Sequence, residues 1–92
     1  MSERPPVVVL LAATLVSGER IKRGRPDLGI THVTSPLSNN ARGTRPDVVY
    51  IDLTGLRPGY AYYAERAEAT LRRCLVKKHG DVADRVRFLE GT

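Results

Sequence analysis

Asp47-Val48-Val49-Tyr50-Ile51-Asp52-Leu53-Thr54 is the stretch from which the fold of this chain can be read. Four apolar residues run together between two aspartates, and Arg45-Pro46 precede them. A short continuous apolar run with turn signals on both sides predicts a strand buried on both faces. A long helical pattern begins a few residues later, at about Pro58. A buried strand feeding a helix is the repeating unit of open α/β sheets. Ligands in such sheets sit beyond the carboxyl ends of the strands, which here puts Asp52 and Thr54 at the edge to watch. Val48 to Ile51 are accordingly expected on a central strand, among the most buried residues.

Working toward the carboxyl terminus, apolar residues recur at Tyr60, Ala64, Ala67, Leu71, Cys74 and Leu75. That spacing of three and four paints one helical stripe. Pro58 suits the first turn and Gly80 the position just past the end. Glu68 and Arg72 lie four apart in the favourable order. Arg85 to Leu89 then alternates, predicting a last strand at a sheet edge with Val86 and Phe88 inward and Arg85 and Arg87 outward.

Toward the amino terminus, Val7 to Ala13 follows Pro5-Pro6 and reads as another buried strand. Thr14 can cap a helix running to about Arg23, with Gly24 as its stop and Pro26 blocking continuation. Ser17-Gly18 also fits the turn of a hairpin between Thr14-Leu15-Val16 and Glu19-Arg20-Ile21. Ile30 to Thr34 alternates with period two and predicts a short strand. Residues 35–45, rich in Ser, Asn, Gly and Pro, form a loop. Right-handed crossovers turn this order into a small open, mostly parallel Rossmann-like α/β sheet of three to four strands, with helices on both faces.

The 92 residues make one domain, 1–92, whose core is near the lower limit for stability without help. Cys74 is the only cysteine, and His32 and His79 are isolated, so neither an internal disulfide nor a zinc staple is on offer. A second subunit is the remaining way to bury surface, and a homo-oligomer, a dimer first, is expected. Arg4 followed by Val7 to Val16 loosely imitates a signal peptide, but removing that run would strip the core of a strand. The run is about half of what a membrane-spanning helix needs, so an intracellular chain outside the membrane is expected. Net charge is +5, which favours anionic partners yet lies within ordinary solubility charge.

The catalytic signals are sparse. Val48-Val49-Tyr50-Ile51-Asp52 looks like the Walker B pattern of P-loop nucleotidases, but the chain contains no Gly-x-x-x-x-Gly-Lys-Ser/Thr and no Gly-x-Gly-x-x-Gly. Asp52 therefore reads first as a strand-end or turn carboxylate. Thr14, Ser35 and Asp52 could converge at the carboxyl edge as a generic anion pocket beside the helix amino termini. Cys74 falls on the apolar stripe, where a free cysteine behaves as a small hydrophobe. Asp81 and Asp84 read as a solvated turn. Nothing pairs these groups into an acid, base and nucleophile, so no enzyme and no cofactor is expected.

Two binding signals remain. Glu19-Arg20-Ile21-Lys22-Arg23-Gly24-Arg25-Pro26-Asp27 contains Arg23-Gly24-Arg25-Pro26, which resembles the core of the AT-hook family. The resemblance implies minor-groove binding to AT-rich DNA by Arg23 and Arg25, with Arg20 and Lys22 adding charge. Asp27 stands where that family has a basic residue. The alternative is a capping glycine followed by a proline turn. Tyr60, Tyr62 and Tyr63 cluster at the helix start and cannot all face the core, so they are candidate interface anchors together with Arg85 and Arg87. As a whole, the short Arg-rich chain, opening on a Val/Leu strand, resembles small accessory proteins of actinobacterial phages. That resemblance implies a non-catalytic module engaging another protein. Nucleic-acid binding at residues 20–25 and nucleotide or anion binding at the carboxyl edge are the alternatives.

Overall fold

Val8–Ala12, the strand β1, is buried at every position. In a computed structural model, which describes residues 5–38 and 45–89, β1 lies in a four-stranded sheet with β2 (His32–Thr34), β3 (Val48–Asp52) and β4 (Val86–Phe88). The order is β2-β1-β3-β4, and every pairing is parallel. The chain is therefore α/β with a small Rossmann-like sheet, as the strand–helix alternation implies. Helix α1 (Leu15–Gly24) joins β1 to β2, and α2 (Ala61–His79) joins β3 to β4. These two connections step in opposite directions across the sheet, so right-handed crossovers put the helices on opposite faces.

Two apolar layers result. Val9, Leu11, Val49 and Ile51 pack with Leu71 and Leu75 of α2. Val8, Leu10, Ala12 and Ile30 form the other layer, with Ile21 of α1 half-buried against it. Burial is thus deepest on β1, correcting the expectation that Val48 to Ile51 is buried on both faces. Val49 and Ile51 are buried, whereas Val48 and Tyr50 are only half-covered. The cause is geometric: α1 lies against β1 and β2, and among the described residues no helix covers the same face of β3 and β4.

Helix α1 settles the choice between helix and hairpin. Thr14 is its N-cap, and its Oγ1 accepts a hydrogen bond from the Ser17 N–H at 3.0 Å. Gly18 makes the helix possible there despite its poor propensity, because it is buried where α1 crosses the sheet. A Cβ at Gly18 would overlap Val33 Cγ1 of β2 and lie 3.2 Å from Ala12 Cβ. Gly24 is the last helical residue, and the Arg25 N–H closes the helix on Ile21 O. Residues 39–44 of the loop between β2 and β3 lie outside the described residues.

In α2 the predicted stripe is buried at Ala64, Leu71 and Leu75 and half-buried at Ala67 and Cys74. Tyr60, placed on the same stripe by spacing, lies instead in a 3-10 turn (Pro58–Tyr60) ahead of the helix and is exposed. Gly80 ends the helix with φ +85° and donates to Val76 O. β4 is an edge strand as expected, but Phe88 is 63% exposed rather than inward. It pairs in register with Ile51 on the α2 face, yet α2 lies over β1 and β3 and leaves the outer strand's far end bare.

The amino ends of the strands are tied together by one carboxylate. Asp47 Oδ2 accepts from the Val7 N–H at 2.8 Å, and its own N–H donates to Val7 O at 2.7 Å. Its Oδ1 lies 3.0 Å from Lys78 Nζ and 3.2 Å from His79 Nε2, the latter without hydrogen-bond alignment. Arg85 Nη1 donates to Asp47 O at 3.2 Å. The Val7 N–H and then Lys78 hold the Asp47 carboxyl below the usual carboxylate range.

Candidate functional site

The strand order reverses between β1 and β3, and the loops leaving them diverge to opposite sides. In open α/β sheets a crevice opens at that point, beyond the carboxyl ends. Here it is a cleft of about 450 Å³, within the usual range for ligand pockets. Ala13, Thr14, Leu15 and Val16 supply one wall from the start of α1. Ser35, Pro36 and Leu37 come from the loop after β2, and Gly55, Leu56, Arg57 and Tyr60 from the segment between β3 and α2.

Of the proposed anion trio, Thr14 and Ser35 line this cleft, and Asp52 is not among its described lining residues. The Asp52 carboxylate instead accepts from the Thr54 N–H at 3.1 Å, closing a turn at the end of β3. Thr14 Oγ1 is occupied by the capping bond and by Ser17 Oγ at 3.0 Å. Ser35 is buried. The walls are otherwise mostly apolar.

The rim is apolar as well. Eight large hydrophobic side chains are exposed among the described residues, and six of them sit at this end: Leu15, Val16, Leu37, Tyr60, Tyr62 and Tyr63. Val16 is 71% exposed, Leu37 61% and Tyr62 59%. The tyrosines form a connected group. Tyr60 and Tyr63 have ring centroids 6.5 Å apart, and Tyr62 meets Tyr63 edge-on at 5.5 Å. Arg66 braces the group, with its guanidinium 5.6 Å from the Tyr62 ring and Nη1 donating to Tyr62 Oη at 2.9 Å. The sequence does not point to Val16, Leu37 and Arg57 as site residues, since nothing in it reveals that their three segments meet.

The remaining candidates lie elsewhere. Arg20, Lys22 and Arg23 are on α1, with Arg23 and Gly24 in its last turn. Arg25 forms a paired contact with Asp27, Nε to Oδ1 and Nη2 to Oδ2, both at 3.2 Å. This bond with Arg25 holds the Asp27 carboxyl below its ordinary range. The segment is thus folded as a helix end and a 3-10 turn (Pro26–Leu28) rather than extended as a minor-groove strap. Arg87 is on the edge strand β4, whereas Arg85, expected on the same strand, ends the 3-10 turn (Ala83–Arg85) before it; each donates to a backbone carbonyl, Arg85 to Asp47 O and Arg87 to Asp84 O. Among the described residues no three His, Cys, Asp or Glu side chains are grouped as a metal site, and no helix is long and apolar enough to cross a membrane. Comparison of the chain with protein-family models, with curated proteins and with solved structures returns no match.

Proposed function

We propose that this chain is a non-catalytic binding module whose carboxyl-end cleft and tyrosine rim dock a segment of a partner protein. The observation that carries the reading is the convergence of exposed Leu15, Val16, Leu37 and Tyr60 from three separate segments of the chain around one cleft. Isolated surface hydrophobics are ordinary, but a contiguous exposed patch around a concavity marks an interaction site. Tyrosines at such a rim supply large contact area with a polar tip. The resemblance to phage accessory proteins points the same way. The cleft alone also fits a small ligand, but the exposed apolar rim extends past it to Tyr62 and Tyr63 and favours a macromolecule.

The test is a random-peptide selection on the immobilised chain. Peptides carrying a large apolar anchor are expected to bind, and Val16→Glu with Leu37→Glu should weaken them at least about tenfold. Both side chains are largely exposed, so circular dichroism should show an unchanged fold. Selected peptides that bind the double variant as well as the parent would reject the reading.

Self-association is proposed at a second place. β4 is an open edge whose Phe88 is exposed, and a closed two-fold contact would cover both. Sedimentation at micromolar concentration should give a dimer, and Phe88→Arg a monomer. A parent chain that sediments as a monomer would remove this contact.

A further inference from the structure

The docking reading leaves the character of the partner segment open, and Arg57 narrows it. Arg57 is the one charged residue among the described lining of the cleft. Its guanidinium has no ion pair or hydrogen bond to any described residue. Arg20, Arg23 and Arg73 likewise lack such a partner among the described residues, but of these arginines Arg57 alone lines the cleft. The neighbours of Arg57 along the cleft include Leu15, Leu37 and Leu56, and none is a carboxylate.

An apolar occupant pressed into this space would strip water from the guanidinium and return nothing for it. A desolvated cation without a partner is costly, whereas a carboxylate brought by the occupant offsets that cost and adds a two-pronged hydrogen bond. A basic segment would meet a like charge here, on a chain of net charge +5. Resting on the docking reading, we propose that the cleft selects an acidic-apolar segment: a large apolar side chain entering between Val16 and Leu37, flanked by an Asp or Glu that pairs with Arg57.

The experiment compares peptides selected on the native chain with their behaviour on Arg57→Gln. Arg57 is exposed and unpaired, so this substitution should leave the fold intact. The selected peptides should be enriched in Asp or Glu beside the anchor. On Arg57→Gln they should bind about fivefold more weakly, the scale of a partly exposed ion pair. Replacing the peptide's acids by Asn or Gln should cost the same factor on the native chain and nothing further on the variant. Peptides without acidic enrichment, or equal binding to both chains, would overturn this proposal while leaving the docking reading in place. A selection that yields no binding peptide would overturn both. If 4-phenylbutyrate binds at Arg57 as tightly as the peptides, the occupant is a small apolar acid and the segment proposal fails.

Discussion

Replacing Gly18 by valine should lower the thermal midpoint by about 15 °C, corresponding to roughly 3 kcal/mol in a domain of this size. Gly18 is the buried residue of α1, and a Cβ there would overlap Val33 Cγ1 of β2. Val33 is β-branched and has little rotamer freedom with which to retreat. Overpacking of this kind costs about 1–3 kcal/mol even for a single added carbon. Alanine gains about 1 kcal/mol of helix propensity over glycine, so Gly18→Ala should be destabilising by at most about 2 kcal/mol. Valine brings two further methyls and no comparable propensity gain. Adding Val33→Ala to Gly18→Ala should restore part of the loss, because the two sites are in contact and not additive. Thermal melts of the four chains would decide it. Gly18→Val as stable as the parent would mean that α1 does not sit this close to β2.

Asp47→Ala should cost about 2 kcal/mol and lower the midpoint by roughly 10 °C. The carboxylate accepts the Val7 N–H at 2.8 Å and faces Lys78 Nζ at 3.0 Å, so its removal strands a donor at the start of β1 and frees the end of α2. Its pH signature separates this loss from simple truncation. The folded-state pKa of Asp47 is lowered by the Val7 N–H and then by Lys78. Its contribution is therefore complete above the unfolded-state value near 4 and is lost as pH falls through the lowered folded-state value. As pH falls below about 5 the parent should lose stability more steeply than Asp47→Ala. Parallel pH profiles for the two chains would show that the carboxylate carries no such linkage.

The fold was legible in the sequence because local signals and the global layout agree. Thr14 caps the helix that its position suggested, Gly80 ends the helix it was expected to end, and each strand lies within its apolar or alternating stretch. What periodicity cannot supply is strand order. Val48 to Ile51 reads as the most buried strand because it is an apolar run, yet neighbours decide burial, and β1 has strands on both sides and helices on both faces. Phe88 alternates correctly and is exposed for the same reason: the helix that would cover it lies over other strands. Gly18 leaves a turn open as the alternative to the helix because a glycine's usual role is conformational, whereas here the missing side chain matters for packing. The cleft was half legible. Thr14 and Ser35 were placed at the carboxyl edge by strand ends alone. Arg57, Val16 and Leu37 required knowing that the loops after β1, β2 and β3 meet at one switch point.

On the proposal made above, the carboxyl end of the sheet is the surface by which this chain meets a partner protein. This is tested most directly by the amide chemical-shift map of the ¹⁵N-labelled chain on titration with a selected peptide. The shifts should concentrate in residues 13–16, 35–37 and 55–63, with residues 20–25 and the β4 edge unmoved. Shifts concentrated at residues 20–25 or along β4, with the cleft loops silent, would contradict it.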